Sequence, residues 1–221
     1  VHKLQYRRDV DGLRALAVLA VASFHAGLGC RGGFVGVDVF FVISGFLITS
    51  LIIKDLQSGT FSFVEFWARR IRRIMPALSV VILAVLIVGW FGMIPSSYEA
   101  LGKRIISVVF CVSNVKFWRE SGYFDTTADE KPLLHTWSLS VEEQFYVVIP
   151  VALFLLFKTN WKKQAPTLLA AICAASLILS IYMSHKFPAA NFYFLPTRAW
   201  ELGMGALLAF APPLKSACLR Q

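Results

Sequence analysis

Runs of about twenty apolar residues recur along this chain, and they leave few folds open to it. Clear examples are VDVFFVISGFLITSLII (37–53), ALSVVILAVLIVGWFGMI (77–94), LLHTWSLSVEEQFYVVIPVALFLLF (133–157) and LLAAICAASLILSIYM (168–183). A helix needs ~20 apolar residues to cross the hydrocarbon of a bilayer. Of the 221 residues, 57% are hydrophobic and 16% charged, against about 45–50% and about 25% in soluble domains. The ~10-residue alternating segments of a membrane β-barrel do not occur. The fold expected is therefore all-α, a polytopic membrane helix bundle. A first helix at 12–29 and a last one at 197–211 bring it to five or six spans. Pro76 is expected at the head of the third helix, where its missing N–H costs nothing. An amphipathic piece around 61–73 precedes it.

The net charge is +9, and it gathers beside the apolar runs in KLQYRR (3–8), RRIRR (69–73) and KTNWKK (158–163). Basic residues that stay cytoplasmic orient membrane helices. This accounts for most of the charge and places the N-terminus in the cytoplasm. No nucleic-acid motif with stacking aromatics is present. The basic N-terminus followed by an apolar run imitates a signal peptide. Arg14 and His25 inside it, and the span that follows at once, favour a retained helix. If all three basic clusters are cytoplasmic, the short polar-containing stretch 105–118 is re-entrant or interfacial; a full crossing there breaks the rule. Cys30, Cys111, Cys173 and Cys218 show no CxxC spacing, so neither a disulfide framework nor a zinc site is expected.

Ionisable residues within apolar runs usually face a cavity or a partner. Arg14 and His25 are eleven residues apart, ~16 Å along a helix and close to three full turns. They share a face, with Arg14 near the cytoplasmic surface and His25 beyond mid-membrane. Arg14 alone could snorkel to the headgroups, and His25 could make a structural hydrogen bond. In WSLSVEEQFY (137–146), Glu142 and Glu143 point about 100° apart, so at least one should enter the bundle. Ser140 lies three before Glu143, a capping-box spacing. His135 and Trp137 add an imidazole and an aromatic plane. Arg69, Arg70, Arg72 and Arg73 exceed what orientation requires. The planar guanidinium suits phosphate, whether of lipid headgroups or of a nucleotide-bearing donor. Asp38 opens the second helix, where an acid suits the helix dipole. Arg198 and Glu201, three apart, have the spacing of an intrahelical ion pair.

Taken together, DGLRALAV…FHAG, GGFVGVDVFFVISGFLIT, FWARRIRRIMPAL, LLHTWSLSVEEQFY and FLPTRAWELGMGALLA resemble the acyltransferase-3 family of bacterial membrane O-acyltransferases. These segments occur in family order from 6 to 211. Arg14 and His25 fit the family's Arg-x10-His mark. Arg70 and Arg73 fit its Arg-x-x-Arg mark, with Arg69 and Arg72 an alternative register. Glu142 and Glu143 fall in its Ser-x-Glu-Glu-Gln segment. The resemblance implies transfer of an acyl group, commonly acetyl, from cytoplasmic acyl-CoA to a hydroxyl of a surface glycan such as lipopolysaccharide O-antigen or peptidoglycan. It implies a place in the bacterial inner membrane, no permanently bound cofactor, and no metal. The family domain has about ten spans, so residues 1–221 correspond to the N-terminal portion of one such domain.

On that reading His25 is the base that takes the acceptor's proton, or the residue that briefly carries the acyl group. Glu142, Glu143 or Asp38 orients it. Arg14 with the Arg70/Arg73 pair grips the CoA phosphates. The rival expectations are a transporter that uses the same buried charges as a proton relay, and a non-catalytic fragment. A relay has no need of four arginines in one connector.

Overall fold

A computed structural model describes residues 7–121, 131–159 and 161–211. Lys3–Tyr6 of the first basic cluster, residues 122–130 of the polar loop, Asn160 and Cys218 lie outside the described residues. The elements run α1 (Arg8–His25), a 3-10 turn (Gly33–Val35), α2 (Gly36–Gln57), α3 (Phe63–Gly92), α4 (Pro95–Val109), α5 (Ser113–Arg119), α6 (Thr136–Lys158), α7 (Ala165–Lys186), α8 (Pro188–Tyr193) and α9 (Leu195–Leu208). No strand occurs among the described residues. Four of these helices are long and apolar enough to cross a membrane: α2 with its leading turn, α3, α6 and α7. The protein is an all-α, multi-pass membrane bundle.

The first helix differs from the expected 12–29. It begins four residues earlier and stops at His25. Gly27 and Gly29 adopt φ of 68° and 80°, the left-handed region that glycine enters without a Cβ penalty and that ends helices. His25 is thus the last helical residue and not a mid-helix one. The charged first turn, with Arg8, Asp9 and Asp11, keeps α1 outside the four long apolar helices.

Pro76 lies inside α3 and does not start it. The amphipathic piece and the third apolar run form one helix of 30 residues. Its true start is Ser62, whose side chain accepts a hydrogen bond from the Glu65 N–H at 3.4 Å; Ser-Phe-Val-Glu is a capping-box pattern. Membrane helices tolerate an interior proline where the freed carbonyl is satisfied locally. Stretch 105–118 is not one helix. α4 ends at Val109, Cys111 turns at φ 55°, and α5 restarts at Ser113. With 15 residues, α4 is about 22 Å long, too short to cross alone.

The core is built from α2, α6 and α9. Phe41, Ile48 and Ile52 of α2 meet Val141, Phe145, Ile149 and Leu153 of α6, and Leu202 and Ala206 of α9. The α2–α9 crossing is close because two glycines face each other's helix. A Cβ on Gly45 would collide with the Leu202 carbonyl oxygen, and one on Gly205 with the Val42 carbonyl oxygen. Small residues at such crossings let membrane helices approach. α7 packs on the outer side of α9. There the Ser176 hydroxyl donates to the Pro196 carbonyl at 2.7 Å and accepts from the Trp200 N–H at 3.0 Å.

Gly45→Ala and Gly205→Ala should each lower the melting temperature of the detergent-solubilised protein, because overpacking costs about 1–3 kcal/mol or more. Gly102 of α4 has open space where its Cβ would be, so Gly102→Ala should leave it unchanged or raise it slightly. Equal shifts for all three variants would contradict the close crossing.

Candidate active site

Four helix ends converge on one cavity. The C-terminus of α1 brings His25, the first turns of α2 and α9 bring Asp38 and Arg198, and the start of α6 brings His135, Trp137 and Ser138. Glu142, two turns into α6, lines the inner wall. Phe24, Phe34, Phe40, Phe192 and Tyr193 supply aromatic walls, and the volume is about 690 Å³. The His25 and His135 rings meet edge to face with centroids 4.5 Å apart. Phe24 packs against His25 at 5.2 Å and against Phe34 at 5.7 Å. Because α2, α6 and α9 all start here, their N-terminal dipoles add a positive potential to the cavity.

Asp38 and Arg198 join across helices far apart in sequence. Arg198 donates to Asp38 at 2.7 Å and pairs with Glu201 at 3.2 Å. Its guanidinium also stands 5.5 to 5.7 Å from the ring centres of Phe41, Trp137 and Phe192. Glu201 is only 2% exposed. Sequence spacing suggested the Arg198–Glu201 pair but had no means to show Asp38 as the other partner.

The two adjacent glutamates separate. Glu142 lines the cavity and accepts from the Ser44 hydroxyl at 3.1 Å and the Tyr146 hydroxyl at 2.9 Å, both on the same oxygen. The charges of Arg70 and Arg14 act on it. Glu143 is absent from the cavity lining. One of its oxygens is buried without a hydrogen bond, and its charge, after burial itself, helps push the Cys111 thiol up from its ordinary range. Ser140 does not cap α6, which begins at Thr136. It lies buried inside the helix, where its hydroxyl accepts from the Ser113 N–H at 3.2 Å and meets the Ser113 hydroxyl at 2.7 Å. It ties α5 to α6, as do Asn114 and Gln144 through their amides at 2.9 Å.

The four arginines also part ways. Arg69 is tied to Asp55 at 3.1 Å and Glu65 at 3.7 Å. Arg72 and Arg73 are exposed. Arg70 turns inward and stacks over the Tyr146 ring at 4.7 Å, with Arg73 electrostatically coupled to it. Arg14 contacts Asp11 at 3.8 Å. Tyr146 is eleven residues beyond His135, so the arginine end stands ~16 Å along α6 from the imidazole end, with Glu142 between them. Ser44 and Tyr146 were not singled out from the sequence. The available signal for Tyr146 was its position four residues after Glu142, one helical turn on the same face. Among the described residues, no cluster of metal-binding side chains occurs, and Cys30, Cys111 and Cys173 are free thiols.

A family profile described as an acyltransferase domain matches residues 7–217. The chain belongs to the acyltransferase-3 family. Similar proteins include the peptidoglycan O-acetyltransferase OatA of Listeria monocytogenes, 37% identical, with the match covering 95% of this chain and 34% of that protein. The putative peptidoglycan O-acetyltransferase YrhL of Bacillus subtilis is 35% identical over 97% of this chain and 35% of its own length. The putative O-acetyltransferase SAS0844 of Staphylococcus aureus is 37% identical over 96% and 36%. The acyltransferase-3 chain described here thus spans about a third of the length of these curated relatives. No solved structure matches it.

Arg198→Gln should destabilise this acyltransferase-3 chain by about 3–5 kcal/mol, because the buried Glu201 and the partly buried Asp38 both lose their cation. Arg69→Gln removes two pairs of an exposed arginine, with Asp55 and Glu65, and should cost about 1 kcal/mol or less for each. Thermal denaturation of the two variants side by side tests this; similar melting temperatures would contradict the buried network.

Proposed function

We propose that this protein transfers an acyl group, acetyl being the simplest, from cytoplasmic acyl-CoA to a hydroxyl of a cell-surface glycan. The observation that carries the reading is the order of groups along α6: imidazoles at one end, a carboxylate in the middle, an inward arginine at the other. That order fits a long donor whose phosphates and reacting carbonyl are far apart. Arg70, Arg73 and Arg14 hold the CoA phosphates, since guanidinium forks suit phosphate oxygens. The pantetheine arm runs past Glu142, and the thioester reaches the cavity. Arg69, committed to Asp55 and Glu65, anchors α3 to the end of α2.

In the cavity the acceptor oxygen attacks the thioester carbonyl. The new C–O bond forms, the C–S bond breaks, and CoA leaves as its thiolate. His25 takes the hydroxyl proton, a task suited to an imidazole at neutral pH. The three helix N-termini favour the negative charge that develops on the carbonyl oxygen. Asp38, clamped by Arg198, shapes the polar wall. Phe192, exposed and backed by the buried Trp137 with ring centres 4.4 Å apart, offers an apolar face to a sugar ring. Two of the similar proteins are named as a peptidoglycan O-acetyltransferase and a putative one, which makes peptidoglycan the first acceptor to test and lipopolysaccharide O-antigen the second. The arginine end belongs on the cytoplasmic side of the inner membrane, with the N-terminus, and the imidazole cavity toward the far face.

His25→Ala should lower O-acetyl ester on the cell-wall glycan by about 10²–10⁴-fold, with membrane insertion and melting temperature retained. Ester content is read by mild alkaline release of acetate from purified glycan. Normal ester in that variant would remove His25 from the chemistry. Unaltered protein that loads ester onto neither glycan would remove the acceptor assignment.

A further inference from the structure

Tyr146 stands at two parts of the site at once. Its ring carries the Arg70 guanidinium at 4.7 Å, and its hydroxyl donates to Glu142 at 2.9 Å. It is only 2% exposed, so packing holds the ring in place. The Trp67 indole N–H donates to the Tyr146 carbonyl at 3.4 Å, which ties the arginine-bearing helix α3 to the same turn of α6. Ser44 holds the carboxylate from the opposite helix, α2, at 3.1 Å.

We infer that Tyr146 is a positioning residue that couples the donor-binding arginine to the cavity carboxylate, its ring setting Arg70 and its hydroxyl setting Glu142. This rests on the donor reading proposed above. The ring and hydroxyl have different partners, so different substitutions separate their effects. A cation over an aromatic face is attracted by the ring quadrupole. A phenylalanine keeps that face and the volume, but leaves Glu142 with Ser44 as its remaining hydroxyl donor. An aliphatic residue removes both contacts. Ser44→Ala removes the other hydroxyl and leaves Arg70 on its ring.

The test uses the full-length protein in lipid nanodiscs with peptidoglycan sacculi as acceptor, and follows release of CoA thiol against acetyl-CoA concentration. Tyr146→Phe should lower kcat about tenfold with KM for acetyl-CoA within about twofold of the unaltered protein. Ser44→Ala should do the same. Tyr146→Leu should lower kcat similarly and also raise KM about tenfold as Arg70 loses its platform. A purely structural role lowers the active fraction and leaves KM unchanged in every variant; that pattern overturns the inference. So does a KM rise in Tyr146→Phe equal to that in Tyr146→Leu. Should the leucine variant fail to insert, the phenylalanine and Ser44→Ala variants decide with their melting temperatures read alongside: kcat lowered in both at constant KM and unchanged melting temperature supports the inference, and any other pattern, including a kcat loss that follows a lowered melting temperature, overturns it. Unaltered protein without saturable dependence on acetyl-CoA sinks the donor reading and this inference together. Saturable turnover with the wrong variant pattern sinks this inference alone.

Discussion

The site depends on how closely α2 and α9 cross. Gly45 and Gly205 each leave room for a carbonyl of the opposite helix, and that contact sets the distance between the first turns of the two helices. Arg198 then reaches Asp38 at 2.7 Å. In an apolar bundle a lone guanidinium or carboxylate is costly unless it is paired. The backbone crossing and the charge network therefore support each other: bulk at the crossing pulls the pair apart, and loss of the pair leaves charges stranded at the cavity wall.

α6 adds the second half of the arrangement. It packs its apolar face on α2 and α9 and presents His135, Glu142 and Tyr146 along one side. Glu142 gains its hydrogen bonds from α2 and from its own helix, so the carboxylate is held between the cavity that it lines and the Arg70–Tyr146 stack. The short helix α5 braces the opposite face of α6, at Ser140 and Gln144. Ser113 and Asn114 of α5 bind α6, and Asn114 also donates to the Tyr193 carbonyl at 3.0 Å. The buried polar groups of α5 thus have a structural use, and their presence explains why 105–118 is too polar and too broken for a simple span.

Much of this was legible from the residues. Long apolar runs announced the long helices, and Arg14, His25, Glu142 and Arg70 were all singled out as charges that need a reason. Other features were hidden for physical reasons. A hydropathy run cannot show that His25 ends α1, because the stop comes from backbone angles at Gly27 and Gly29. Pro76 looked like a helix start because a proline is welcome there, yet the Ser62–Glu65 cap begins the helix at Phe63, thirteen residues earlier. Two adjacent glutamates, or four arginines in five positions, are equivalent until tertiary packing chooses. It chose Glu142 over Glu143 for the cavity and Arg70 over Arg69 for the interior. The Asp38–Arg198 pair spans 160 positions, a separation that no local spacing rule reaches.

The central claim is that one path along α6 joins a phosphate-binding end to an imidazole-lined cavity. A cryo-EM structure of the full-length protein with bound CoA tests it most directly. The account predicts the phosphates at Arg70 and Arg73 and the thiol end beside Glu142, within reach of His25. CoA seated elsewhere, for instance in the apolar groove between α6, α7 and α9 that Phe145, Leu169 and Cys173 line, would contradict it.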